Sequence, residues 1–471
     1  MINKINKNSF NQFLDMDWSK IPQIFFLISI FIISRIPLLN IGFGTDPDAW
    51  RIANSAYDLK NFLIYHPSRF PGYPLPEYVN SIIINYGWVA TNTLTLILSL
   101  ISVIVFAKIL NELKIKNKGL IVITYAFLPI IWVNSATTMD YMWALTFIII
   151  CWYFILKKKY IIAGLMMGLA IASRPTSIFL MIPFLYLIYQ ENHYPQKILK
   201  FSFSVLTTSI LSFLPLYLIY GIDFVTFYPF NMPLMAVWAD ASYFFGSIAI
   251  IFGVILIICN TKVIYHKIIK EKNKMFIFLF LSIFFIIIPF INAPYEVAYL
   301  IPAIPFGLLL TNGIAKKKFF IVFCILLLLN SFVGLNITSS NNFIQDGLIK
   351  KERDASNNVV SHLKKIIDSD INNSVVISGE YLPFIAYLSE TSGKPFKTIN
   401  MVGYGNLESN EYFIGKKNIR YVYLASLDEI RNFQKEGYTI YYIGNTTYKM
   451  TKTMFRYDLD NYNCSNIFDH I

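Results

Sequence analysis

Long apolar segments alternate with short polar connectors over the first 338 residues of this 471-residue chain. About eleven of these segments are long enough, as helices, to cross the roughly 30 Å hydrocarbon core of a bilayer. The pattern changes near residue 339, where the long apolar runs stop and asparagine, serine and charged residues become frequent. We expect spans near 21–40, 81–110, 119–135, 138–156, 160–174, 176–190, 198–220, 241–260, 275–291, 296–315 and 319–338.

The tail, residues 339–471, has the alternating periodicities of a small α/β domain. Amphipathic helical segments are separated by short runs with strand character. The sequence therefore predicts a transmembrane domain at 1–338 and an α/β domain at 339–471. The tail elements that we expect are helices at 350–368, 380–389 and 427–436 and strands at 374–378, 419–424 and 438–443.

Composition settles the class of protein. Hydrophobic residues make up 55% of the chain and charged residues 14%, and the mean hydropathy is +0.51. Ordinary soluble domains of this length are less apolar and more highly charged. The fold class that we expect is an α-helical polytopic membrane protein with about eleven transmembrane helices and a small C-terminal α/β domain.

Basic residues are distributed unevenly between the predicted spans. Nineteen lysines occur in alternate connectors, whereas the intervening connectors contain only Arg51, Lys60, Arg69 and Arg174. By the positive-inside rule, the N-terminus is cytoplasmic, and an odd number of spans places the tail outside the cell membrane. The tail has equal numbers of acidic and basic residues, so the formal charge of +12 belongs to the membrane part. This charge reflects topology, and no nucleic-acid partner is expected.

The connector at 41–80, the predicted first outer loop, is longer than a link between two spans needs to be, and such loops are usually functional. Asp46-Pro47 is a helix-start signature, in which Asp46 accepts from free backbone N–H groups and Pro47 takes the first helical position. Asp48 follows in the first turn, where negative charge is favoured. Two interpretations stay open: these carboxylates cap a helix, or they provide a general base and hold a divalent cation.

A short helix from 47 to about 60 would place Trp50, Ala53 and Tyr57 on one face, which suits a helix lying along a membrane interface. The next segment, 65–77, contains four prolines and one glycine. We expect it to be irregular.

Arginine side chains of the predicted outer loops have two interpretations as well. Arg51, Arg69 and Arg174 can contact lipid head groups. A guanidinium group also recognises phosphate in bidentate geometry. Asp140, between the third and fourth predicted spans, is either a helix-start charge or part of a site.

The segment Asp48-Ala49-Trp50-Arg51-Ile52-Ala53 resembles the acidic motif of the GT-C superfamily, polytopic glycosyltransferases that use polyprenyl-phosphate-linked sugars. In the lipid A aminoarabinose transferase and the protein O-mannosyltransferases, this motif lies in the first outer loop and typically reads Asp-Glu. Asp48 takes the position of the family's Asp, and Ala49 takes that of the Glu.

Three further stretches resemble the same family. Residues 69–75 are similar to its proline-rich entry into the second span. Residues 164–175 are similar to its glycine-rich fifth helix, which ends in a basic residue near the lipid phosphate. Residues 299–302, followed by Pro305, are similar to its late Tyr-Leu-x-Pro motif.

The resemblance implies an inverting transfer of a sugar from a polyprenyl-phosphate donor to an extracytoplasmic acceptor of the cell envelope, which is a lipid, a glycan or a protein. It assigns the general base to Asp48, and Asp46 is a second candidate catalytic residue that would compensate for the Glu that Ala49 replaces. No cofactor is certain, and a divalent cation at Asp46 and Asp48 stays possible. The residues expected to bind substrate are Arg51, Arg69, Tyr73, Asp140, Arg174 and Tyr299.

Two other functions stay open. A glycolipid flippase or transporter would contain charges in the middle of its spans and repeated halves. A surface-polysaccharide polymerase or ligase shares the lipid-phosphate chemistry, and would use an outer arginine or histidine while Asp46 and Asp48 are dispensable.

Overall fold

The computed structural model describes all residues except 1–10, 19, 193, 227–232, 293, 295, 336–343, 370, 390–412, 415–417 and 471. The predicted domain boundary at 338/339 lies outside the described residues. The chain divides into two compact units, each assembled from separate stretches of sequence. Unit 1 comprises Met1–Asn40, Asn92–Gly221 and Tyr228–Arg353, and unit 2 comprises Ile41–Thr91, Ile222–Phe227 and Asp354–Ile471.

Apolar helices dominate the chain up to residue 329. Five described helical segments are long and apolar enough to cross a membrane, and a sixth is obtained if the pair 234–245 and 247–259, bent by 100°, is one span. Shorter apolar helices account for much of the remaining apolar sequence, and the predicted count of eleven spans stays a prediction. The helices are α1 (Ile21–Leu39), α2 (Pro47–Phe62), α3 (Pro74–Ile83), α4 (Trp88–Glu112), α5 (Lys118–Phe127), α6 (Pro129–Asn134), α7 (Tyr141–Leu156), α8 (Tyr160–Ser173), α9 (Met181–Asn192), α10 (Pro195–Tyr220), α11 (Leu234–Phe245), α12 (Ser247–Cys259), α13 (Thr261–Tyr265), α14 (Lys274–Asn292), α15 (Ile304–Ile314) and α16 (Lys317–Leu329).

The glycines of α8 allow this helix to approach α10 closely. A Cβ atom at Gly164 would lie 2.5 Å from the carbonyl oxygen of Phe201, and one at Gly168 would lie 2.5 Å from the Cβ of Thr208. Small residues four apart let two helix backbones approach each other, which is how helices pack in membranes. The glycine-rich pattern of this segment is therefore explained by helix packing.

The last part of the chain contains β1 (Val333–Leu335) and β2 (Ile344–Asp346), which form a separate antiparallel pair, then α17 (Leu348–Asp368), β3 (Ser374–Ile377), α18 (Leu382–Leu388), β4 (Phe413–Ile414), β5 (Ile419–Val422), α19 (Leu427–Lys435), β6 (Thr439–Tyr442), α20 (Gly444–Phe455) and β7 (Cys464–Asn466). Five of these strands form a sheet in the order β4-β5-β3-β6-β7. The central strand β3 is parallel to β5 and β6, β6 is parallel to β7, and β4 is antiparallel to β5.

The six predicted tail elements are confirmed to within two residues at each end. Among the described tail residues, four of the helices and strands named above were not predicted from the sequence: β2, β4, α20 and β7. The register places Ile377, Val422 and Tyr442 side by side, so the carboxyl ends of β3, β5 and β6 meet at one edge of the sheet.

Helix α2 packs against α18 within unit 2. Trp50 is fully buried and stacks on Phe384 with a centroid separation of 4.5 Å, and Asn54 Nδ2 donates to the carbonyl oxygen of Pro383 at 2.8 Å. Ala53 is also fully buried. The prediction that this face lies along the membrane interface is therefore wrong for Trp50 and Ala53. Both side chains are buried within the protein instead.

Candidate functional site

The first turn of α2 is organised by Asp46. This residue is the N-cap, its carboxylate accepts from the backbone N–H of Asp48 at 2.8 Å, and Pro47 begins the helix. The predicted cap is thus confirmed, and it fixes the backbone from which the Asp48 side chain extends.

Asp48 is held between two guanidinium groups. Its Oδ1 accepts from Arg51 Nη1 at 2.5 Å, and its Oδ2 lies 2.9 Å from Arg69 Nε. Arg51 is one helical turn away on α2, which is the spacing at which helix side chains meet. The three side chains retain 11–15% of their exposure, so this group is largely enclosed but reachable from solvent.

Two residues of the tail complete this network. The second amine of Arg51 donates to Glu380 at 2.7 Å, and the other oxygen of Glu380 accepts from the hydroxyl of Tyr423. Burial by itself lowers the pKa of Arg51, but the charges of Glu380 and Asp48 raise it above its ordinary value, so the guanidinium stays charged. We call these five residues, Arg69, Asp48, Arg51, Glu380 and Tyr423, the Asp48 cluster.

The backbone that leads into Arg69 is held by a buried carboxylate on α3, Glu77. Glu77 accepts from the backbone N–H of Ser68 at 2.7 Å and from the hydroxyls of Ser68 and Tyr65 at 2.5 Å each. Burial raises the pKa of Glu77 although these hydrogen bonds act in the opposite direction. The guanidinium carbon of Arg69 lies 3.8 Å from the centre of the Tyr73 ring, which gives Tyr73 a cation–π role.

A second arginine–carboxylate group lies in unit 1. Arg174 directly follows α8, and its Nη1 donates to Asp140 Oδ2 at 2.6 Å. The guanidinium lies 4.4 Å from the ring centre of Tyr141 and 4.2 Å from that of Tyr299. The side chains of Arg174 and Asp140 are 4% and 0% exposed. We call these four residues the Arg174 cluster.

The eight predicted site residues therefore occur in two groups. Unit 2 contains Asp46, Asp48, Arg51, Arg69 and Tyr73, and unit 1 contains Asp140, Arg174 and Tyr299. Their functional roles stay predictions.

Glu380 and Tyr423 were missed from the sequence. Both follow the carboxyl end of a parallel strand, β3 or β5, and this is where ligand-binding residues of α/β sheets usually lie. Recognising β3 and β5 as parallel neighbours would have supplied the signal.

The residues around Asp46 and Asp48 do not fit a divalent cation. Both oxygens of Asp48 face guanidinium groups, whose positive charge opposes a bound metal ion. Among the residues that the structure describes, no three or more His, Cys, Asp or Glu side chains are grouped to hold a metal.

Comparison with known proteins gives two similar solved structures. Both are crystal structures of the Archaeoglobus fulgidus oligosaccharyltransferase, one tethered to an acceptor peptide containing the NVT sequon and one in the apo form. The identities are 12% and 11%, and the TM-scores are 0.42 and 0.46. The matches cover 78% and 82% of this chain but only 63% and 66% of the oligosaccharyltransferase.

No protein-family model matches this chain, and the curated proteins give no match. Both structural matches are to an oligosaccharyltransferase, and this chain spans about two thirds of its length.

Proposed function

We propose that this protein is a membrane glycosyltransferase of the GT-C type, which moves a sugar from a polyprenyl-phosphate donor to an acceptor on the outer side of the membrane. The observation that carries the proposal is the partly exposed Asp48 carboxylate with two guanidinium groups within 2.9 Å. One such group of side chains provides a base and two phosphate-binding cations.

In the proposed reaction, an acceptor hydroxyl or amine attacks the anomeric carbon of the donor with inversion. The bond from that carbon to the phosphate oxygen breaks, the polyprenyl phosphate leaves with the bonding electron pair, and Asp48 takes the proton of the acceptor. Arg51 and Arg69 stabilise the negative charge of the leaving phosphate. Because both arginines already contact Asp48, the incoming phosphate competes for them and releases the carboxylate to act as a base.

The alternative of a glycolipid transporter requires an intramembrane charge that can exchange partners. The charge buried within α1 is Arg35, which donates to Ser135 Oγ at 3.1 Å and to the carbonyl oxygen of Ala126, and lies 3.8 Å from the ring centre of Phe31. These carbonyl, hydroxyl and ring contacts satisfy the guanidinium without a substrate. They therefore support a structural role for Arg35.

The test is a transfer assay with purified full-length protein in detergent. The donors are polyprenyl-phosphate sugars and, for comparison, nucleotide sugars, and the acceptors are lipid, glycan and peptide preparations. We expect transfer from the lipid-linked donors only. In a second experiment with the protein reconstituted into vesicles, movement of the donor across the bilayer without sugar transfer would instead support a flippase.

The variants Asp48→Asn and Asp46→Asn form a matched pair. Loss of the base should reduce transfer by about 100-fold or more. Asn at position 46 can still cap the helix, so that variant should stay close to wild type. Full activity of Asp48→Asn would remove the assignment of the base, and activity of both variants with loss in Arg69→Gln would favour a polymerase or ligase.

A further inference from the structure

A cavity of about 420 Å³ lies at the carboxyl edge of the sheet in unit 2. Small-molecule sites usually range from about 300 to 1,000 Å³. The cavity lies outside the Asp48 cluster, since no member of that cluster lines it. Its lining residues are Asn358, Val359, His362, Leu363, Lys365, Tyr381, Ile443, Gly444, Asn445, Thr446 and Phe468.

The topology of the sheet marks this edge as a binding position. After β3, the chain places β5 on one side of β3 and then crosses to place β6 on the other side. The strand order therefore reverses between β3 and β6. In open α/β sheets, ligands bind outside the carboxyl ends of the strands at such a switch point. Tyr381 follows β3, Ile443 and Gly444 follow β6, and all three line the cavity.

The side chains around the cavity combine positive charge with aromatic surface. Lys365 of α17 supplies the positive charge, His362 of the same helix supplies an aromatic ring, and none of the eleven described lining residues is acidic. His362 Nδ1 lies 2.6 Å from the carbonyl oxygen of Asn358, and its ring meets Phe468 edge to face at 5.6 Å. Tyr381 supplies a further ring. Flat rings beside polar groups suit a sugar, and the charge of Lys365 suits an anionic substituent.

The N-terminal turn of α20 faces the same cavity. Gly444, Asn445 and Thr446 are its first three residues and all line the cavity. The N-cap residue Ile443 provides no side-chain hydrogen bond to this end, and the N–H of Gly444 donates to Asn466 at 3.2 Å. The positive end of this helix dipole adds to the charge of Lys365 and favours an anion.

We propose that this cavity binds a small anionic saccharide, with the sugar ring against Tyr381 and Phe468 and the anionic group facing Lys365 and the first turn of α20. The anionic group is a phosphate or a carboxylate, because both have the charge and the acceptor oxygens that these donors recognise. The proposal concerns binding and is independent of whether the Asp48 cluster transfers a sugar.

Binding is measured on the full-length protein in detergent by saturation-transfer NMR and calorimetric titration. The probes are glucose 1-phosphate, glucuronic acid, neutral glucose and inorganic phosphate. We expect one or both anionic sugars to bind more tightly than glucose and than phosphate alone, and the tighter of the two identifies the anionic group. Equal binding of glucose, or no binding of either anionic sugar, would overturn the proposal.

Two variants locate the binding. Lys365→Gln should weaken binding of the anionic sugar by about threefold to fivefold, as expected for an exposed charge, and Thr446→Trp should block the cavity. Lys449→Gln is the matched control, because Lys449 is an exposed lysine of α20 that does not line the cavity. Thermal unfolding of each variant verifies the fold, and unchanged binding in both cavity variants would place the ligand elsewhere and refute the assignment.

Discussion

The Asp48 cluster and the Arg174 cluster use the same chemical groups in different surroundings. Arg174 pairs with Asp140 and lies against the rings of Tyr141 and Tyr299, with the ion pair at most 4% exposed. Arg51 and Arg69 share Asp48 and extend to Glu380, with 11–28% of these side chains exposed. Breaking a desolvated ion pair leaves a buried charge without its counter-ion, which is strongly destabilising. A partly exposed ion pair can instead exchange one partner for a substrate group. We therefore expect the Arg174 cluster to act mainly on stability and the Asp48 cluster mainly on transfer.

The largest effect is expected from Asp140→Asn. Removing the carboxylate leaves the Arg174 charge buried, which should lower the free energy of unfolding by about 3–5 kcal/mol. Denaturant or thermal unfolding of the detergent-solubilised protein measures this loss. Asp48→Asn is the control, because Arg51 retains Glu380 as a partner and these side chains are partly exposed, so a smaller loss of stability is expected. Equal destabilisation by the two variants would contradict the comparison.

A smaller effect is expected from Tyr299→Leu, which removes one ring from Arg174. A desolvated cation–π contact contributes about 2 kcal/mol, so the free energy of unfolding should fall by this amount. Tyr299→Phe keeps the ring and should stay close to wild type. The apparent KM for the lipid-linked donor is measured as well, since an increase in Tyr299→Leu without loss of stability would give Arg174 its predicted role at the donor phosphate.

Glu380→Gln tests whether the tail takes part in the Asp48 cluster. A hydrogen bond to a charged group is worth about 1.5–3 kcal/mol, so transfer should fall by about tenfold or more when Arg51 loses this carboxylate. Because Glu380 acts through Arg51, the loss should appear mainly in kcat, and Glu380→Asp should recover part of it. Glu436→Gln breaks the exposed pair with Arg420 in the same unit and serves as the control. Unchanged kcat in Glu380→Gln would exclude the positioning role.

The smallest effect concerns Glu77 and pH. Its folded-state pKa is raised above the ordinary value of 4.5, so the folded protein binds this proton more tightly than the unfolded chain does. The stabilising contribution is complete below about pH 4.5 and is lost as the pH rises through the folded-state pKa. Glu77→Gln mimics the protonated form, so the free energy of unfolding of this variant should depend less on pH over this range. A profile with the wild-type slope would show that another group controls it.

Local patterns predicted much of the fold because they depend on neighbouring residues. The tail elements followed from periodicity, and the cap at Asp46 followed from the Asp-Pro pair, since a cap satisfies N–H groups within three residues of itself. The helix α20 was missed, and its sequence begins with Gly444 and lacks a side-chain cap, so the usual start signal is missing.

The candidate site was predicted in part for the same reason. Asp48 and Arg51 are one helical turn apart, so their contact follows from sequence spacing. The prediction that the Trp50 face of α2 lies along the membrane interface was wrong, because an apolar stripe suits a membrane surface and a protein surface equally well. Only the contact with Phe384 distinguishes the two.

The sequence by itself determined the long apolar helices, the positions of six helices and strands in the tail, and the capped helix that presents Asp48 beside Arg51. Hydropathy and helix spacing are properties of short segments, so they need no knowledge of the fold. The tertiary structure decided that Glu380, 329 residues from Arg51, completes the Asp48 cluster, and that β3 and β6 frame a cavity. Such contacts arise from the packing of α2 on α18 and from strand order, which depend on the burial of distant surfaces together.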